Sequence, residues 1–229
     1  MSRTKKSDKK GKFPYKTDIS ELVIREKEFR ILKPGSLDEF LDHEDLFHNF
    51  PLWAKIWEAS IVLADYLGEI TVEPEKRFLE IGCGLGLVGI VAASYGHKIT
   101  MTEHNRDALR FARANAAENL PGNNSLLEIR GLDWNKPRPY GLFDYIVGSE
   151  VLYKETDFQP LLRLIKTYLK PTGEVILAEG IRKTSMEFFK QMGQFFDIKA
   201  RKKVLRSKEK EITVMLCSMR YKPDLEGSG

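Results

Sequence analysis

Cysteine is scarce: the 229 residues hold two, Cys83 and Cys217. Two distant thiols exclude a disulfide scaffold and point to a reducing compartment, so a cytoplasmic protein is expected. No apolar run approaches the roughly 20 residues that span a bilayer, and no apolar signal core follows the N-terminal lysines. No membrane association is therefore expected. His43, His48, His97 and His104 lack the spacing of a ligand set, which argues against a metal. Internal repeats and an interdomain linker are also missing. What is present, 42% hydrophobic and 31% charged residues, excludes wholesale disorder. The length suits one domain with additions, large enough to bury about 70% of its unfolded surface without staples.

Charge is unevenly spread. Met1–Lys16 holds seven lysines and arginines against Asp8, so the remaining chain is net −2 although the whole is net +4. Residues 1–16 read as a disordered basic tail, most simply a solubilising segment, with an arm for nucleic acid or an acidic partner as the alternative. Leu225–Gly229 reads as a flexible end. Residues 17–72 are expected to form N-terminal strands and a helix packed on the core, and 73–222 the main domain.

Glu21–Leu32 predicts one or two short strands, stopped by Pro34-Gly35. Trp53, Ile56, Trp57, Ser60, Ile61, Ala64 and Leu67 recur at spacings of three and four, predicting an amphipathic helix over 51–67. Strands are then expected at 77–81, 98–102, 126–131, 143–149 and 174–178. Helices are expected at 87–95, 105–119, about 158–169 and about 185–196, and a hairpin at 198–205 and 212–219. This alternation predicts an α/β fold, a mostly parallel sheet with helices on both faces and a C-terminal antiparallel hairpin at one edge.

The strongest local signal is Phe78-Leu-Glu-Ile-Gly-Cys-Gly-Leu-Gly-Leu-Val-Gly89. Gly82, Gly84 and Gly86 directly after a strand let the backbone approach a ligand and turn into a helix. Read from Gly84 the letters give the dinucleotide pattern, and Glu103 ends the next strand where a carboxylate can accept from ribose hydroxyls. Spacing alone allows a nicotinamide enzyme or a methyltransferase. Glu80, two residues before the first glycine, would repel a diphosphate but suits a ligand carrying an ammonium and a sulfonium.

The run Glu80–Ile90 resembles motif I of class I S-adenosylmethionine-dependent methyltransferases. Trp57–Leu63, Leu132-Asp-Trp134 and Phe143–Tyr153 extend the likeness to the seven-β-strand protein-lysine methyltransferases, the family 16 group, whose members act on chaperones, calmodulin and electron-transfer flavoprotein. The likeness runs from about Trp53 to the end of the chain. It implies a Rossmann-like seven-stranded sheet, S-adenosyl-L-methionine as cofactor, and methyl transfer to a lysine amine of a protein substrate, by a monomer. It also implies that Trp57, Gly82, Cys83, Gly84, Glu103, Trp134 and Ser149 line the cofactor and that the D-x-x-Y signature falls on Glu150 and Tyr153. Glu150 and Glu103 each stand where aspartate is usual, and Glu58 where proline or aspartate is common.

The residues suggest their roles. Trp134, between a strand and a turn, can border an adenine, and Asp133 can accept from its amine or cap the turn. Of Trp57 and Trp53, Trp57 is expected to face the cofactor. Glu80 and Gly86 complete the expected cofactor set. Glu150 is expected to orient the incoming ammonium, and Tyr153 to offer a ring face and hydroxyl beside the methyl path. Cys83 reads as a small spacer, with no base near in sequence. The chain has Val151-Leu152 where nucleic-acid amine methyltransferases often carry two prolines, which counts against a nucleic-acid acceptor. A small-molecule acceptor and a non-enzymatic binding module are the other readings; the intact Gly82, Gly84, Gly86 and Glu103 argue against the second.

Overall fold

The computed structural model describes residues 13–41, 50–120, 122, 125–137, 141–206 and 211–223. His43 and His48, residues 1–12 and 225–229 lie outside them. The first strands, β1 (Thr17–Ile24) and β2 (Lys27–Pro34), form an antiparallel hairpin whose two-residue turn places Arg25 at φ 55°. After it come α1 (Glu58–Glu69), β3 (Arg77–Ile81), α2 (Leu87–Ser94), β4 (Lys98–Glu103) and α3 (Arg106–Asn119). Then follow β5 (Leu127–Gly131), β6 (Phe143–Ser149), α4 (Phe158–Tyr168), β7 (Leu169–Gly180), α5 (Lys183–Met192), β8 (Phe196–Arg206) and β9 (Glu211–Tyr221). Seven strands make one sheet in the order β5-β4-β3-β6-β7-β9-β8, parallel except for β9, which runs against both its neighbours.

Two apolar layers cover the sheet. One gathers α1, α2, α3 and the β1–β2 hairpin around residues such as Ile31, Leu63, Ile90 and Phe111. The other gathers α4 and α5 around Phe158, Leu161, Ile165 and Phe188. Helix α2 is buried along nearly its whole length because it is apolar on every side, Leu87 to Ala93 carrying no polar side chain. A Cβ at Gly89 would come within 2.2 Å of the Met101 side chain, so only glycine lets α2 lie this close to β4.

The hairpin is tied to the domain by a polar clamp. Fully buried Asn115 of α3 accepts from Leu32 N–H (2.7 Å) and donates to Leu32 C=O (3.0 Å) and Leu85 C=O (2.9 Å). One amide thus joins β2, α3 and the glycine turn. Asn115→Ala leaves those backbone groups buried and unpaired at about 1–3 kcal/mol each, so a loss of about 3 kcal/mol is expected. Urea unfolding should show a lower midpoint with an unchanged slope.

Several expected boundaries shift. The predicted helix over 51–67 is two pieces: a 3-10 turn at Leu52–Ala54 and α1, which starts only at Glu58. Between them Lys55 and Trp57 are extended, and Trp57 Nε1 donates to Leu52 C=O (2.8 Å), closing a loop instead of a helical turn. Of the residues expected in the tail, Phe13 and Tyr15 are packed on the domain: Phe13 stacks on Phe111 at 4.3 Å between ring centres and Tyr15 donates to Asp107. Leu169 starts β7 instead of ending α4, pairing with Phe143 before a register shift. Phe196 opens β8, beyond the end of α5.

Candidate active site

Sheet order reverses at β3, which pairs with β4 on one side and β6 on the other, and ligands of such sheets bind beyond the carboxyl ends of the strands at that reversal. There a cavity of about 360 Å³ opens. Trp53, Trp57 and Trp134, all the tryptophans of the chain, line it. Gly82, Cys83, Gly84, Glu103, Asp133, Ser149, Glu150 and Tyr153 share its wall. Ten of the twelve residues expected to form the site therefore meet around one space.

The glycine turn is shaped as the sequence suggested. Gly82, Gly84 and Gly86 have φ of 65°, 52° and 88°, the left-handed region that other residues rarely adopt. A Cβ on Gly84 would press on the Trp53 carbonyl at 3.2 Å, and one on Gly82 on the Val151 side chain at 3.1 Å. Gly86, however, is no part of the wall: it caps α2 and packs against Ala112 and Met101. Its glycine is needed for helix contact.

Glu80 is the larger correction. Its carboxylate is absent from the cavity wall, lies buried behind the turn and accepts from the Gly89 amide in the first turn of α2. Burial pushes its carboxyl up to about 8, with Glu103 adding to the rise, so much of it is protonated at neutral pH. The full negative charge expected to face the ligand is not presented there. Cys83 sits beside it with its thiol raised well above the usual range by burial, Glu80 and Glu103, and is no thiolate.

Glu103 is held by three backbone amides. Its Oε2 accepts from Gly84 N–H (3.1 Å), and Oε1 from His104 N–H (2.7 Å) and Asn105 N–H (3.0 Å). The same carboxylate that reaches the wall thereby fixes the glycine turn and the start of α3. Asp133 caps its own turn through Asn135 N–H (2.9 Å) to Oδ1, leaving Oδ2 without a partner among the described residues. Both tryptophans of the 51–57 segment face the cavity: Trp53 also leans on Phe40 and Phe111, while Lys55 Nζ lies 4.4 Å from the centre of the Trp57 ring.

In the same wall Glu150 has φ 50° and accepts from Gly180 N–H through Oε1 (2.8 Å). Its Oε2 forms an ion pair with Arg182 Nη2 at 2.6 Å. That nitrogen also donates to Glu179 Oε2 (2.9 Å), and Glu179 Oε1 accepts from Val151 N–H (2.8 Å). The guanidinium lies 4.8 Å from the Tyr153 ring centre, so it covers one face of the ring expected to be free for a substrate. Burial raises the Tyr153 phenol far above its ordinary value, and the hydroxyl stays a donor. Arg182 and Glu179 carried no recognisable spacing in the sequence, nor did the wall residues Lys55 and His104.

The profile of the lysine methyltransferase family matches residues 43–195. The protein N-lysine methyltransferase METTL21A of Danio rerio is 34% identical over 152 residues, covering 63% of this chain and 69% of that one. EEF1A lysine methyltransferase 3 of Xenopus tropicalis is 28% identical over 174 residues, covering 72% and 75%. Magnesium protoporphyrin IX methyltransferase (ChlM) from Synechocystis PCC 6803, solved with bound S-adenosylmethionine, shares the fold at a TM-score of 0.56 and 19% identity over 70% of this chain and 77% of that one. The chain belongs to the lysine methyltransferase family.

Proposed function

We propose that this chain methylates the side-chain amine of lysine on a protein substrate, and that the cavity beyond β3 and β6 holds both the cofactor and the target side chain. The observation that carries the reading is the convergence of the glycine turn, three indoles and the carboxylates of Glu103, Asp133 and Glu150 on one space. Carboxylates and aromatic faces suit a ligand bearing a sulfonium and an ammonium. Trp57, Gly82, Cys83, Gly84, Glu103, Asp133, Trp134 and Ser149 would hold it, with the amide-fixed Glu103 carboxylate and the free Oδ2 of Asp133 as acceptors. When bound, S-adenosylmethionine supplies an electrophilic methyl group.

The remaining work falls to Glu150 and Tyr153. A lysine of ordinary pKa is neutral only about once in 10³·⁴ at pH 7, a cost of about 4.6 kcal/mol before attack. Glu150, fixed from two sides, captures and orients the arriving ammonium, and the Tyr153 hydroxyl donates beside it. The proton leaves to water. Cys83 and Cys217 are free and buried, in keeping with a reducing cytoplasm. Among the described residues no helix is long and apolar enough to cross a membrane. We also take the chain to act as a monomer, with 73–222 and the 50–60 segment together enclosing the cofactor.

Because all three tryptophans line the cavity, S-adenosylmethionine should change the intrinsic fluorescence saturably, and NAD should not. The decisive measurement adds tritiated S-adenosylmethionine to a cell extract with the purified chain. Label that survives nuclease, is lost to protease and appears as methyl-lysine supports the reading. Label lost to nuclease overturns it.

A further inference from the structure

Arg182 touches both residues assigned to the methyl acceptor without lining the cavity itself. It is the first residue before α5, where Ser185 accepts from its backbone N–H (3.1 Å) and donates to Gly180 C=O (2.8 Å). Those bonds fix the short link between β7 and α5. The side chain turns back over the sheet edge, with its Nη2 between Glu150 and Glu179. Its Nε–H is buried with no partner among the described residues, an unpaired donor that a purely structural contact gives no reason to keep.

We propose that Arg182 is a positioning residue for methyl transfer: its guanidinium holds the Glu150 carboxylate at the cavity and offsets its charge, so that the acceptor amine sheds its proton more readily there than beside a free carboxylate. The inference deepens the lysine-methylation reading and rests on it. A lone Glu150 would bind the ammonium and, by the same attraction, keep it protonated. With the guanidinium in contact, the carboxylate still orients an N–H donor but attracts its positive charge less.

The surrounding groups allow this balance. Glu150 and Tyr153 face Arg182 from the loop after β6, and Glu179 from β7. Cys217 of β9 lies near Glu179 with its thiol pushed up to about 12, so it stays neutral. Asp157, in the wall before α4, has its carboxyl raised by burial and partly offset by Lys154, while Lys55, Glu103, His104 and Asp133 also line the wall. Burial pushes the Glu179 carboxyl up to about 8, so at neutral pH the guanidinium is left mainly to Glu150.

The test compares wild type, Arg182→Gln and Arg182→Lys, following the strongest labelled protein band of the extract with tritiated S-adenosylmethionine from about pH 7 to 10. Arg182→Gln should be down about tenfold at pH 7, one unit of acceptor pKa, with the deficit narrowing as pH rises. Arg182→Lys should restore the wild-type profile, and the tryptophan titration should give all three the same cofactor affinity. A deficit constant across pH, or none, overturns the proposal and leaves the function standing. A wild-type chain that binds S-adenosylmethionine yet labels no protein overturns both.

Discussion

Glu150→Gln is expected to lower methyl transfer by about 10- to 150-fold and leave cofactor affinity within about twofold. The factor is that of one charge-assisted hydrogen bond, about 1.5–3 kcal/mol, lost between the carboxylate and the arriving ammonium. Glutamine keeps the volume and can still accept from Gly180 N–H through its carbonyl oxygen. What it cannot do is present a negative oxygen to both Arg182 and a substrate. The unusual backbone at this position, φ 50°, makes glycine a less informative replacement, since it also relieves the strain stored in the loop. Tryptophan titration of the variant separates the two steps, because the proposed reading gives Trp57 and Trp134 to the cofactor and Glu150 to the acceptor amine. Wild-type turnover in Glu150→Gln would remove the carboxylate from the mechanism. A large loss of cofactor affinity would instead move Glu150 to the cofactor.

The parts of this molecule legible in the sequence are those where one local rule dominates. Strands β3 and β4 and the turn between β3 and α2 were readable because short β-rich segments stand between turn residues and left-handed backbone demands glycine. Asn105 was readable as the cap of α3, and it accepts from Asp107 N–H and Ala108 N–H. The 51–57 segment misled for a physical reason. Trp53, Ile56 and Trp57 are apolar because they wall a cavity, and their spacing mimicked a helix face by coincidence.

The site divides in the same way. Residues adjacent to a motif could be placed, since a strand end at the sheet's carboxyl edge fixes where the next residue goes. Glu103, Trp134, Ser149 and Glu150 all reach the cavity for that reason. Partners distant in sequence could not be foreseen: Arg182 meets Glu150 only because β6 and β7 are neighbours, with Ser149 beside Ala178. Gly86 and Glu80 carry the opposite lesson. Both belong to the right motif, but a strand or helix residue has two sides, and theirs face the packed interior between α2, α3 and β4.

That buried position makes Glu80 the source of a large pH effect on stability. In the unfolded chain its carboxyl titrates near 4.5, and in the fold near 8, because burial penalises the charged form and one of its oxygens has no partner. Between those values the native state binds the proton and the unfolded chain does not. Stability therefore falls as pH rises from about 5 to about 8 and levels off above, by about 4 kcal/mol from this residue alone. Glu179, raised to about 8 chiefly by burial, slopes the same way. Urea midpoints measured across that range should decline for wild type, and the slope should be shallower in Glu80→Gln, whose side chain does not ionise. The absolute stability of the variant is a poorer guide, since its amide brings a second donor into a pocket with few acceptors. Parallel curves for wild type and Glu80→Gln would mean that Glu80 is charged in the native state, and the turn above it would then present the negative potential that its place in the sequence first suggested.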